Sequence, residues 1–401
     1  MRTSRQGLRS ALMLLPALAA APLAAQHPGQ PQLTPLIAEV LAPPRAVRGS
    51  DELDHLVYEI RIANLTDARF TLRRVVVLGE RDTTLAQLDA HAIGTRLSLG
   101  ARRGNEGNVL GSAQFGVLFM HVAVAHEGLP KVLTHVIEGH AEKASADFTL
   151  RLASTGVIAA PARSLAAPLR GSGFVAGDGC CDSVRHVRAL LPLNGRLYLA
   201  QRFAIDWEKV DDSGRVFVGD PRSVRSYRIY DEPVYAVADG TVVASRNDLK
   251  DQVPGKLPEG LPLEEADGNF AIIDIGAGAY ALYAHMRLGS VALHAGQHVR
   301  RGEQIGNVGN TGNTQAPHLH FQLMDAPSAL VANGLPYAFV TYTVTATDQA
   351  GTADFDRAEA SGTPMSLTAH DPPLQGHSSL PLDLSVVTWT PAAPDPAGRG
   401  R

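Results

Sequence analysis

The sequence predicts a mainly β chain in two parts: an N-terminal immunoglobulin-like β-sandwich, then a domain built on an antiparallel sheet of short strands. Three observations carry this. Apolar and polar residues alternate in short runs, as in His55-Leu-Val-Tyr-Glu-Ile-Arg-Ile. Sustained helical periodicity is missing between about Thr34 and Ala167. Glycines then divide the second half into brief segments, as at Gly296, Gly302, Gly306 and Gly309.

The N-terminus reads as a signal peptide over residues 1–25. Arg2, Arg5 and Arg9 precede an apolar run from Ala11 to Ala25, and Leu23-Ala24-Ala25 before Gln26 suits cleavage. The run is too short for a comfortable transmembrane span, so the expectation is an exported chain, periplasmic or extracellular, with no transmembrane segment. A polar linker follows over residues 26–33. The sandwich is expected over 34–167, with strands at His55–Ile62, Phe70–Leu78, Gln114–Ala125 and Asp147–Leu152, and turns at Asn64 and in Gly100–Gly111. It carries no catalytic cluster, and its expected role is interaction or spacing. His121, His126, His135 and His140 imitate a metal cluster, but His135-Val-Ile-Glu-Gly-His140 misses the inverted zincin spacing by one residue. They read as ordinary strand histidines.

A Pro/Ala/Gly/Ser connector over 168–184 leads into the chain's two cysteines, Cys180 and Cys181. Adjacent cysteines can close a vicinal disulfide, pair between chains or serve as zinc thiolates. The second domain is expected over 185–346. Pro233–Ala244 reads as a hairpin turning at Asp239-Gly240, and Asn269–Ile275 with Tyr280–His285 as another around Gly276 and Gly278. Asn247–Gly268, rich in proline and acidic residues, reads as a surface loop. The signal fades beyond Ala346. One returning strand within Ser379–Trp389 and a disordered Thr390–Arg401 tail are expected in a C-terminal extension over 347–401.

The chemistry concentrates in Pro317-His318-Leu319-His320-Phe321. On a strand His318 and His320 share a face, while Leu319, Phe321 and Leu323 share the other. Together with Asp206, Val234-Tyr-Ala-Val-Ala-Asp-Gly-Thr-Val-Val, Tyr283-Ala-His285-Met, Val299-Arg-Arg-Gly-Glu-Gln-Ile-Gly and Gly309-Asn-Thr-Gly312, this segment resembles the lysostaphin/LytM-type zinc endopeptidases. The resemblance covers roughly Arg185 to Asp325. It implies a LytM-type antiparallel sheet and one Zn²⁺ per chain held by Asp206 and His320. It also implies catalytic roles for His285 and His318, hydrolysis of peptide bonds in peptidoglycan, and a cell-wall protein partner for the β-sandwich.

One position departs from the family. Its His-x-x-x-Asp ligand pair here is Arg202-Phe-Ala-Ile-Asp206. A guanidinium has no lone pair to give a metal, and its charge opposes one. Three readings follow: a substitute ligand, with His186, Asp182 and Glu208 as candidates; an Arg202–Asp206 ion pair in place of metal; or Arg202 turned outward beside a weak two-ligand site. The second would make the domain a degenerate, non-catalytic cell-wall binder or an activator of a partner hydrolase. The net charge of −4 gives no case for nucleic acid. No Gly-x-Ser-x-Gly elbow supports a serine hydrolase. The last lysine, Lys256, lies in the Pro-rich loop and does not suit a biotinyl or lipoyl hairpin.

Overall fold

The computed structural model describes residues 33–99 and 107–389. The expected signal peptide, nearly all of the expected linker, part of the Gly100–Gly111 segment and the Thr390–Arg401 tail lie outside the described residues.

Two five-stranded sheets form the N-terminal half. One contains Leu36–Val40, Asp54–Asn64, Phe115–Val124 and Leu97–Leu99, with Ala46–Arg48 added to the second of these. The other contains Phe148–Gly156, Val132–Ala141, Phe70–Leu78 and Thr84–Asp89, with Val109–Leu110. All their pairings are antiparallel. Leu56, Tyr58, Ile60 and Ile62 from the first sheet meet Phe70, Leu72, Val75 and Ile137 from the second in one core. The period of two in the sequence therefore locates this core.

The strand Asp54–Asn64 is buried on both faces. Its even positions enter the sandwich core, while Val57 packs into the core of the second half and Glu59 is fully buried. On the neighbouring strand, Val117 and Phe119 pack against Leu190 and Leu199. One outer face of the sandwich is thus covered by the second half of the chain.

The second half is organised by an eleven-stranded sheet. Its path runs Arg163–Leu165, Tyr337–Asp348, Ser385–Trp389, Gly171–Gly177, Ile205–Lys209, Leu319–Met324, Tyr280–Met286, Asn269–Asp274, Gly240–Arg246 and His298–Val299, with Leu367–Ser379 paired to Tyr337–Asp348. Trp207, Phe321, Tyr283, Phe339 and Trp389 fill its main core. The segment beyond Ala346 supplies two of these strands and the helix Thr352–Ser361.

The hairpin around Gly276 and Gly278 forms as expected, with Ala281 opposite Ile273. The one expected at Asp239-Gly240 does not. Pro233–Tyr235 pairs with Gln304–Asn307 in a separate small sheet, whereas Gly240–Arg246 joins the large sheet. The turn hands the chain from one sheet to the other, held by Arg301 N–H donating to Asp239 (2.8 Å) and Val237 N–H donating to Tyr283 Oη (2.8 Å).

Of the four sandwich histidines, three lie on strands and His126 lies in the short turn His126–Gly128. His135 bonds Tyr58 Oη at 2.8 Å, His140 bonds Asp147 at 2.9 Å and His126 bonds Asp54 at 2.6 Å. His121 meets His55 instead, at 2.9 Å.

Candidate metal centre

Strand register assembles the site. Asp206 lies opposite His320 across one strand pair, and His320 lies opposite Ala284, next to His285, across the following one. Ile205, Trp207, Leu319 and Phe321 enter the main core, so Asp206 and His320 emerge together on the other face. Gly309 bridges to His318 just before the strand.

Asp206 is the hub. Its carboxylate lies 2.8 Å from His320 Nδ1, 3.3 Å from His186 Nε2 and 3.4 Å from His318 Nε2. Burial opposes its ionisation, but the positive His186 beside it and hydrogen bonds from His186 and His320 hold it well below the usual carboxylate range. Burial likewise opposes charge on His186, yet Asp206 overrides it and raises that imidazole to about 9.

Backbone carbonyls fix three rings. His186 Nδ1 lies 2.9 Å from Asp178 O, His285 Nδ1 lies 2.7 Å from Thr311 O and His318 Nδ1 lies 2.8 Å from Ala316 O. A carbonyl only accepts, so each ring carries its proton on Nδ1 and turns Nε2 to the site. His320 is reversed: its Nε2 lies 2.8 Å from Gln322 Oε1, and Nδ1 faces Asp206. Burial, then His318 and His320, push His285 well below the ordinary imidazole value. Burial also lowers His318. Both are therefore neutral bases at neutral pH.

His285 sits at φ +60°, a left-handed conformation uncommon outside glycine, and its N–H donates to Asp267 O at 2.9 Å. The adjoining loops touch so closely that a Cβ on Gly312 would lie 2.3 Å from Gly268 N. That contact sets Thr311 O where His285 needs it.

Donor atoms of His186, Asp206 and His320 all lie within 4.8 Å of one another. Two imidazoles and a carboxylate are a donor set that zinc accepts, and two of the three carry the outer hydrogen bonds that orient metal ligands. The set His285, His318 and His320 meets the same distance limit.

Arg202 does not pair with Asp206. It is 6% exposed and grips Glu59 of the sandwich through Nε–Oε1 and Nη2–Oε2, both 2.8 Å, with Nη1 3.2 Å from Gly334 O. Among the candidate substitutes, His186 reaches the site. Asp182 is taken by Arg96 and Arg188. Glu208 lies at the cavity beside Glu359, its carboxyl raised well above the usual range by burial first and then by Glu359.

A cavity of about 240 Å³ opens over the histidines. Leu257 of the expected surface loop lines it, as do Gln315, Phe355 and Glu359. The last two come from the helix Thr352–Ser361, which the sequence reading missed. Asp178 was missed as well, because its contribution to His186 is a backbone carbonyl. Its carboxylate binds Ser183 Oγ (2.9 Å) and Arg185 Nη1 (2.7 Å), bracing the loop that carries His186.

Asp383 anchors the same loop by accepting from Gly179 N–H at 2.8 Å. Burial raises it from 3.8 to about 7. The folded state thus binds more protons than the unfolded one between those values, and this contribution to stability is lost as pH rises through the window. Asp383→Asn keeps an acceptor for Gly179 and is expected to flatten the slope, read as urea midpoints from pH 4 to 8. An unaltered slope would assign the pH dependence to other groups.

A model described as peptidase family M23 matches residues 228–332. That span includes His285, His318 and His320 and begins after His186 and Asp206. A curated relative, the peptidoglycan DD-endopeptidase ShyA of Vibrio cholerae serotype O1, is 35% identical over 92 residues, 23% of this chain and 17% of that protein. The cell division protein DipM of Caulobacter vibrioides is 33% identical over 96 residues, 24% of this chain and 13% of that protein. The matched stretch is thus less than a fifth of either relative's length. Among solved structures, the lysostaphin catalytic domain from Staphylococcus simulans matches 41% of this chain and 88% of its own, at 22% identity and a TM-score of 0.23.

Proposed function

We propose that this chain, a member of peptidase family M23 through residues 228–332, is an exported endopeptidase that hydrolyses peptide bonds of peptidoglycan with a zinc ion held by His186, Asp206 and His320. The observation that carries the reading is the convergence of those three donors within 4.8 Å of one another. Arg202 no longer argues against a metal, because its charge is engaged by Glu59. No helix among the described residues is long and apolar enough to cross a membrane.

Bound zinc would act as a Lewis acid, polarising the scissile carbonyl and lowering the pKa of the attacking water. His285 and His318 supply the proton handling. Their rings lie 4.6 Å apart, and each presents a bare Nε2 that can take a proton from the water and return it to the leaving amine. Their fixed Nδ1–H groups prevent the rings from turning away. Asp178 O keeps the His186 tautomer that leaves Nε2 free for the metal. To hold the metal His186 would give up the proton that Asp206 otherwise keeps on it, so metal affinity should rise with pH.

The test pairs two measurements on full-length protein purified without chelator or a His tag: zinc per chain, and cleavage of purified peptidoglycan. About one zinc per chain with soluble peptide products is expected. His285→Ala should keep its zinc and lose about 10²-fold or more in cleavage rate. Protein that takes up no zinc from excess metal would overturn the reading and favour a non-catalytic wall binder.

A further inference from the structure

A second cluster of donors lies away from the M23 site, where the sandwich meets the loop Asp178–His186. Cys180 and Cys181 form a vicinal disulfide. The Cys181 sulfur and ring nitrogens of His55 and His121 all lie within 4.8 Å of one another. We propose that this is a redox-gated metal site: reduction of the disulfide by a dithiol frees Cys181, whose thiolate joins His55 and His121 in holding a zinc-class divalent cation.

The histidine pair is built for this. His55 Nε2 lies 2.9 Å from Asp51 Oδ1, and its Nδ1 lies 2.9 Å from His121 Nε2. Asp51 accepts the Nε2 proton of His55, which leaves a lone pair on Nδ1 directed at His121. A carboxylate behind a histidine is the outer arrangement that orients a metal ligand and strengthens it. The rings are stacked, 5.1 Å between centroids and 19° between planes, and His55 is 3% exposed. Gly49 makes room for that ring, since a Cβ there would lie 2.5 Å from His55 Nε2.

Both histidines belong to the interface face of their sheet. His121 lies opposite Val57 across the strand pair, and Val57 enters the core of the second half. Cys181 is 6% exposed and enters that core too. Zinc bonds of about 2.0–2.1 Å to each nitrogen require the pair to part to about 3.3 Å, a few tenths beyond the hydrogen bond. Two histidines and one thiolate leave a fourth position for water.

The chemistry balances. A dithiol gives two electrons and two protons to the Cys180–Cys181 bond and becomes a disulfide, leaving two thiols. The cation then displaces the Cys181 thiol proton, while the single proton of neutral His121 moves from Nε2, where it bridges to His55, to Nδ1, which frees Nε2 for the metal. The disulfide sulfur is a poor donor, so the oxidised protein holds no ion there.

The test uses full-length protein in zinc-buffered solution, with metal per chain measured before and after reduction by a water-soluble phosphine, which takes up the disulfide's oxidising equivalents as phosphine oxide. Reduction is expected to add about one zinc per chain. Cys180→Ser, which leaves Cys181 as a thiol, should hold that extra ion without reductant. His121→Asn should lose it while keeping the metal of the M23 site, and His186→Ala should show the converse. Cobalt substitution in Cys180→Ser should give a sulfur-to-metal charge-transfer band. The inference is overturned if reduction adds no metal, if the extra ion survives His121→Asn, or if Cys180→Ser melts as the parent does and binds no additional cation.

Discussion

His186→Ala is expected to lose the zinc proposed for the oxidised protein. This ring supplies one of the three donors in the set His186, Asp206 and His320, and removing outer partners of metal ligands already costs about 10–100-fold in affinity. Loss of a ligand itself is expected to exceed 100-fold, measured by competition against a chelator of known affinity. Peptidoglycan cleavage should fall with it. Asp182→Ala is the matched control, since that carboxylate serves Arg96 and Arg188 on the same loop, and it should retain its zinc. Full metal content in folded His186→Ala would transfer the ion to the alternative set His285, His318 and His320.

Glu59→Ala is expected to destabilise the whole chain by about 3–5 kcal/mol, the usual cost of stranding one member of a buried ion pair. Arg202 would keep its charge with Gly334 O as its hydrogen-bond acceptor and the more distant charge of Asp325. Arg202→His should also destabilise, because a single ring cannot replace two parallel bonds to Glu59, and it should add no zinc. The double variant Glu59→Leu with Arg202→Met replaces both charges by apolar groups and should recover most of the loss. Urea unfolding of the four proteins separates these cases. A change below about 1 kcal/mol in Glu59→Ala would mean that water reaches the pair and that the two halves are joined elsewhere.

Strand periodicity made much of this architecture legible. Phe70–Leu78 and the Gly276 hairpin form where alternation and turn chemistry place them, because one face of each strand must be apolar. Alternation does not identify partners, so Pro233–Tyr235 and Gly240–Arg246 read as a hairpin although they belong to different sheets. The histidines around Asp206 were visible as chemistry on one strand face. His186 emerged only as one of three nearby donors, since nothing local distinguishes a ring aimed at a metal from one aimed at solvent. The Arg202–Glu59 contact spans 143 positions and leaves no local trace. Glu359 and Phe355 were hidden for another reason. Their helix follows a long strand and precedes Leu367–Ser379, much of which is exposed, so the pattern there is weak.

The position of Ser385–Trp389 bears on when the sheet that carries the candidate site is completed. This late segment is an interior strand, between Tyr337–Asp348 and Gly171–Gly177, and the latter borders the strand that carries Asp206. Backbone pairing on that side stays open until some 180 residues downstream of Asp206 have been delivered, a non-local closure of the kind that slows folding. The sheet that carries Asp206 is thereby finished only after the chain through Trp389 has been delivered.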